Sequence, residues 1–316
     1  MDFSFTPEQE MLREQAREYL ASYDGDRVAE LADGDAGWDP ASWAELEQLG
    51  WLGVSVAEEQ GGAGLGFVEE AVIVEELGRA LYPGPYLTTV AALPALDERR
   101  TADVVAGKAR WSVAFGDNVP DAAIVDHVLL VEDDSATAVT NFHVEPLPTM
   151  DSTRRLGRIS GGDREQLNGD GELVRLRAAA LAAVEAVGIA QRVLELGIGY
   201  TSTREQFGKK IGVYQAVSHP LADTYVETEL ARSLAYWAAW SIATGAEDAA
   251  VAAASAKAYA SETAVAACER SIQVHGGIGF TWEHVLHRYY KRAQWIDAFG
   301  GHAARQRELV AAALLD

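Results

Sequence analysis

Two stretches hold the residue types that grip a phosphate-bearing ligand. The first reads Thr203-Arg204-Glu205-Gln206-Phe207-Gly208-Lys209-Lys210-Ile211-Gly212-Val213-Tyr214-Gln215. An arginine guanidinium pairs bidentately with pyrophosphate oxygens, and a phenylalanine ring stacks on a base or other ring. The same residues also suit a basic helix C-terminus that opposes the macrodipole and ends in a glycine cap. The second reads Gln273-Val274-His275-Gly276-Gly277-Ile278-Gly279-Phe280-Thr281. Paired glycines let a phosphate come close to the backbone, and Gln273 offers both a donor and an acceptor. A plain glycine link between two helices fits this stretch equally well. His275 has the residue type of a general base, although a lone histidine beside glycines more often packs or bonds locally.

Other chemistries lack their residues. The sequence has no GxSxG elbow, no Walker motif, no GxGxxG after a strand and no HExxH. Seven scattered histidines and a single cysteine give no metal-ligand spacing. His284 and His287 lie three apart on one helical face with no further ligands to join them.

The elements that must position these stretches are mostly helical. Residues 1 to about 100 open with Thr6-Pro7-Glu8-Gln9, a capping box with proline at the first helical position. Asp39-Pro40 starts a second helix with Trp43, Leu46 and Leu49 on one face, and Gly50 ends it. A glycine-rich run at 61–66 leads into an apolar helix over 68–81. Residues 106 to about 165 change character, with β-like runs at 111–115 and 127–131. Turns or loops are predicted at 132–135 and at Gly161-Gly162-Asp163. This insert is too short for a β-barrel of ordinary strand count and length. Long helices are predicted at 173–203, 220–243, 247–267, 283–292 and 302–315, an up-and-down bundle. The first is nearly free of charge over 178–191 and therefore buried on most sides. The expected domains are 1–105, 106–168 and 169–316.

Composition narrows the function classes. The net charge of −22 excludes a nucleic-acid or anionic-membrane surface, since a phosphate backbone needs a basic face. An anionic ligand must then be met by a few local Arg, Lys or backbone N–H groups. No run of 18 uncharged apolar residues is present to span a membrane. The acidic start MDFSFTPEQEMLREQ does not read as a signal peptide. With Cys268 the lone cysteine, no internal disulfide forms, and a reducing cytoplasm is the expected location.

The order TREQFGKKIGVYQ, then QVHGGIGFTWE, then HRYYKRAQWIDAF resembles the C-terminal domain of the acyl-CoA dehydrogenase family. The segments TPEQEMLREQAREYL, LEQLGWLGVSVAEEQGGAGLGFVEEAVIVEELGRAL and MDSTRRLGRI resemble the same family, so the likeness spans nearly the whole chain. The resemblance implies a mainly α fold: an N-terminal helical domain, a reduced middle β-segment and a C-terminal four-helix bundle. It also implies FAD held between subunits. By motif match Arg204, Gln206, Phe207, Ile211 and Gln215 would contact its adenosine and pyrophosphate part. Gln273, Gly276 and Gly277 would touch the same pyrophosphate. In the family these contacts are donated across an interface, to a flavin whose ring lies mainly in the neighbouring subunit.

Two departures from the family pattern follow. The Thr-Glu-Pro and glycine-serine stretch that holds the flavin ring is replaced here by Gly116-Asp117-Asn118-Val119-Pro120. The glutamate that removes the α-proton has two positions in the family, which fall at Gly300 and Ala178; neither carries a carboxylate. Asp297, three residues before Gly300, is the weak substitute. Shortened members of this kind resemble the non-catalytic subunits of heteromeric bacterial dehydrogenases acting on steroid side-chain CoA thioesters. The implied assembly is an α2β2 tetramer with a longer paralog that carries the base and most of the acyl-CoA site. A self-sufficient homo-oligomer and a flavin-free scaffold of the same fold are the alternatives.

Overall fold

The computed structural model describes residues 4–315, so Met1 to Phe3 and Asp316 lie outside the described residues. Six helices open the chain: α1 (Pro7–Tyr19), α2 (Gly25–Asp33), α3 (Pro40–Gln48), α4 (Phe67–Arg79), α5 (Tyr86–Ala92) and α6 (Glu98–Val105). The capping box forms as the residue types predict: Gln9 N–H donates to Thr6 Oγ1 at 3.2 Å and Thr6 N–H to Gln9 Oε1 at 3.0 Å. Asp39 caps α3 through Ala41 N–H at 3.0 Å, and Trp43 and Leu46 enter the core. Leu49 does not follow them. It sits at the C-cap and is 46% exposed, because the helix ends before its side chain turns inward.

A five-stranded sheet follows, built from β1 (Trp111–Ala114), β2 (Val119–Pro120), β3 (His127–Glu132), β4 (Ser135–Pro146) and β5 (Leu156–Leu167) in the order β1-β3-β4-β5-β2. Only β1 and β3 run parallel. The turn expected at Gly161-Gly162-Asp163 is instead the interior of β5. The β4–β5 ladder pairs Thr140 with Asp163 and Phe142 with Gly161, skipping Asn141 and Gly162. Asn141, Gly161 and Gly162 all have positive φ, so the glycines serve a local distortion of the ladder rather than a chain reversal.

The remainder is α7 (Gly171–Thr203), a hairpin of β6 (Glu205–Gln206) and β7 (Lys209–Lys210), then α8 (Gln215–Thr244), α9 (Ala249–His275), α10 (Leu286–Ala298) and α11 (Ala303–Leu315). Residues 180–190 of α7 are all buried, as its lack of charge predicts. Helices α8 and α9 are longer than expected, and α10 runs over Leu286–Ala298 rather than 283–292. Helix α8 begins five residues before Pro220, whose missing N–H costs a single bond near the first turn. Helix α9 runs on past Ala267, because no breaker occurs before Gly276. Its alanine-lined faces lie against α7, α8, α10 and α11, which makes it the central rod of the bundle. No helix among the described residues is long and apolar enough to cross a membrane.

The N-terminal helices join the bundle where α4 crosses α7 with backbones in contact. A Cβ on Gly188 would stand 2.0 Å from Glu75 O, and one on Gly78 would stand 2.3 Å from Glu185 O. Three buried carboxylates of α4 are each met by an arginine from another helix: Glu70 by Arg177, Glu75 by Arg232 and Glu76 by Arg17. Tyr236 Oη also donates to Glu75 at 2.8 Å. These pairings fix rotation of α4 about its axis, since a buried carboxylate without its partner is strongly destabilising.

Lys257 of α9 is also buried, 1% exposed, donating to Ser261 Oγ and to the Asp297 carbonyl, each at 3.2 Å. Burial pushes its ammonium down from 10.5 to about 8, against the weaker pull of Asp297.

Two outcomes follow. Gly188→Ala should cost about 3 kcal/mol in urea unfolding, because the methyl has only backbone to displace. For Lys257 the unfolded chain binds the proton more tightly, so the burden is present in full below about pH 8 and lifts as pH rises toward 10.5. Lys257→Met should therefore stabilise the protein at pH 7 by about 2–3 kcal/mol and flatten the rise in stability above pH 8, read from unfolding midpoints across pH.

Candidate functional site

The stretch at 203–215 is shaped by the end of α7. The helix stops at Thr203, Arg204 turns into extended backbone, and the chain doubles back through the β6–β7 hairpin. Ile211 N–H donates to Arg204 O at 2.9 Å and closes the hairpin base. Its two turn residues, Phe207 (φ 54°) and Gly208 (φ 75°), both adopt left-handed backbone, as a type I′ turn demands. Glycine does so freely, whereas Phe207 is strained there. The reward is a ring 92% exposed at the tip. Arg204, Gln206, Lys209, Lys210 and Gln215 are exposed as well, and Ile211 is half-buried. Three cations thus crowd one hairpin of a chain whose net charge is −22.

The second stretch straddles the end of α9. Gln273 lies on the last helical turn and is exposed, as are Gly276 and Gly277 in the following 3-10 turn. Gly276 takes φ 63° and ψ −137°, a backbone that only glycine adopts readily. Gly277 has no such need, and a Cβ there would meet nothing within 4 Å. Nothing in this chain's own packing therefore explains Gly277. An open face beside it suits a ligand that comes close to the backbone.

Both stretches lie at one end of the bundle, because α7 and α9 are held together there. Tyr200 stacks on His275 with ring centroids 4.4 Å apart, and Ser271 Oγ donates to Val193 O at 2.8 Å. His275 is buried and its Nδ1 bonds Ser271 O at 2.7 Å, a packing role rather than that of a base. His284 packs against it at 4.6 Å. No group of three or more metal-ligating side chains exists among the described residues.

Gly300 lies exposed in the turn between α10 and α11. Gly300 takes φ 68°, and a Cβ there would lie 3.5 Å from the Phe115 ring. Phe115 packs on Phe299 at 5.4 Å, and Phe299 stacks on Trp295 at 4.8 Å. Gln306 Nε2 donates to the carbonyls of Gly300 and Gly301, at 2.9 and 3.3 Å, and pins the turn. Ala178 is buried within α7. Asp297 is already engaged: its Oδ1 accepts from Ala303 N–H at 3.1 Å at the start of α11, and its Oδ2 bonds His302 Nδ1 at 2.6 Å.

Two cavities flank Gly300, one of about 530 Å3 and one of about 410 Å3. Asp133, Asp134 and Glu172 face the first and Asp117 the second. Arg175 lines both and lies over the Phe115 ring at 5.6 Å. These carboxylates escape a reading of the sequence because they sit in turns and at a helix start, where acidic residues are ordinary.

Behind this region lies a buried ionic cluster. The Arg292 guanidinium, fully buried, donates to Asp151 at 2.7 Å, to Glu185 at 2.5 Å, and to Thr153 O and Oγ1 at 2.6 and 2.7 Å. Arg154 donates to the same Glu185 at 3.1 Å and lies over the Trp295 ring at 4.5 Å.

Comparison with known proteins agrees with this architecture. Residues 6–97 match the acyl-CoA dehydrogenase N-terminal domain and residues 175–315 the acyl-CoA dehydrogenase C-terminal domain. The acyl-CoA dehydrogenase IpdE2 of Mycobacterium tuberculosis is 37% identical over 90% of this chain and 91% of its own length. FadE34 of the same organism is 35% identical over 85% of this chain, which spans 41% of that longer protein. A variant of the steroid ACAD Tcur3481–Tcur3483 superposes with a TM-score of 0.85 at 27% identity, covering 98% of this chain and 99% of that one. The ChsE4–ChsE5 complex of Mycobacterium tuberculosis shares the fold, with a TM-score of 0.88 at 22% identity over 100% of this chain and 99% of the other. The chain belongs to the acyl-CoA dehydrogenase family.

Proposed function

We propose that this chain is a subunit of a heteromeric FAD-dependent acyl-CoA dehydrogenase, acting on CoA thioesters of steroid side chains, whose proton-removing glutamate is carried by a longer partner. One observation carries this reading. The phosphate-directed stretches are exposed, while the family's base positions, Gly300 and Ala178, hold no carboxylate, and Asp297 beside Gly300 is already engaged by Ala303 N–H and His302. FAD bound at the site would supply the hydride acceptor for the β-carbon of the thioester.

The chain's own residues serve the other end of that cofactor. Arg204 would pair with the pyrophosphate, and Phe207 would offer its ring to the adenosine part. Gln206, Ile211 and Gln215 complete this wall, with Gln215 at the first turn of α8, where free N–H groups favour anions. Gln273 would hydrogen-bond the pyrophosphate, with room for it beside the backbone of Gly276 and Gly277. In the α2β2 assembly these groups reach across to the partner, which binds most of the acyl-CoA. A cytoplasmic location suits the single cysteine and this soluble-substrate chemistry.

A second reading is favoured by the carboxylates Asp117, Asp133, Asp134 and Glu172 near Gly300. In it a homo-oligomer is self-sufficient and one of these groups removes the proton. Expression of the chain alone and together with a longer paralog separates the two. One FAD per pair of unlike chains, with acyl-CoA-dependent dye reduction only in the pair, is the expected result. Activity from this chain alone supports the homo-oligomer, and absence of flavin in both preparations supports a scaffold. In the pair, Arg204→Ala should weaken FAD binding about tenfold or more through loss of a charge-assisted contact. Unchanged occupancy would remove Arg204 from the site.

A further inference from the structure

The hairpin after α7 has two faces of different charge. In its register Gln206 lies opposite Lys209, and Glu205 lies opposite Lys210. Side chains alternate along a strand, and cross-strand partners share a face. Arg204 continues the register, since its backbone is extended and its carbonyl accepts from Ile211 N–H at 2.9 Å. One face therefore carries Arg204, Gln206, Lys209 and Ile211, and the other carries Glu205 and Lys210.

The two faces are not balanced alike. Glu205 stands directly opposite Lys210, so their charges offset each other. On the first face Lys209 is opposite a neutral glutamine, and Arg204 is opposite an isoleucine. Neither cation makes an ion pair or a side-chain hydrogen bond among the described residues. Both are exposed, in a chain of net charge −22. Uncompensated cations on a surface so acidic mark the face that an anion approaches.

The hairpin also holds these groups at a fixed spacing. The Arg204–Ile211 bond closes its base, Tyr214 Oη donates to Gln206 O at 3.4 Å, and left-handed Phe207 and Gly208 set its tip. Gln206 spends its Nε2 on Glu205 O at 2.7 Å, which leaves the positive charge of this face to the arginine and the lysine.

Each phosphate of a pyrophosphate carries a negative charge, and Arg204 alone supplies a single positive one. We propose that Lys209 is the second cation of the cofactor site, pairing with the FAD pyrophosphate beside Arg204, and that Lys210 on the opposite face takes no part. This assignment rests on the cofactor role proposed for Arg204 and adds a residue outside the motif contacts.

The co-expressed pair of unlike chains tests it, with the FAD dissociation constant read from flavin fluorescence on dilution. Lys209→Ala should weaken FAD about fivefold, as befits a solvent-exposed charged contact, and Lys209→Arg should restore binding. Lys210→Ala should leave the constant unchanged. The Lys209→Ala deficit should shrink as salt approaches about 1 M, where the screening length falls to about 3 Å, whereas a structural loss would persist. Unchanged FAD affinity in Lys209→Ala, an equal loss in Lys210→Ala, a deficit insensitive to salt, or a loss confined to CoA, another pyrophosphate carrier, would each overturn the proposal. Weaker FAD in Arg204→Ala but not in Lys209→Ala would leave the subunit reading standing and end this one. A wild-type pair without flavin would end both.

Discussion

The Arg292 guanidinium holds the protein's parts in register. It lies on α10, yet its donors reach Asp151 and Thr153 in the segment leading to β5, and Glu185 at the middle of α7. Glu185 in turn receives Arg154 from the same segment. A charge buried so completely survives only with its hydrogen bonds made, so the sheet, the longest helix and α10 must adopt one mutual arrangement. Glu185 takes part twice, because its backbone is also the surface against which Gly78 of α4 packs. The N-terminal helices, the sheet and the bundle therefore converge on one turn of α7.

Much else depends on that convergence. Fixing α10 sets Trp295 against Phe299, which packs on Phe115 beside Gly300. The far end of the bundle is free of this constraint. There the hairpin after α7 and the turn after α9 project exposed groups that make few bonds within the chain. One end is thus held by a buried ionic cluster, and the other presents an open, locally cationic face.

The helical elements were legible where a local rule was decisive. The Thr6 and Asp39 caps, the uncharged middle of α7 and the stop at Gly50 depend on neighbours a few residues away, and each formed as read. The errors arose where glycine or proline was taken as punctuation. Gly161 and Gly162 lie inside a strand because a twelve-residue partner strand supplies the ladder. Pro220 sits inside α8 because bundle packing outweighs one missing hydrogen bond. Leu49 has the correct helical spacing, but the helix ends too soon to bury it.

The residue pattern by itself determined the family, the mainly helical architecture and the stretches at 203–215 and 273–281, since motif order and periodicity are properties of the chain alone. It also located Gly300 and Ala178 as positions without a carboxylate. Only the tertiary structure decided that Asp297 is spent on His302 and the start of α11, that Phe207 is held outward by a strained turn, and that His275 is sealed against Tyr200. It alone brought Asp121, Asp151, Glu185 and Arg292 together, from positions 121 to 292 of the chain. Such contacts join residues far apart in sequence, and whether a side chain is spent or free depends on what the fold places beside it.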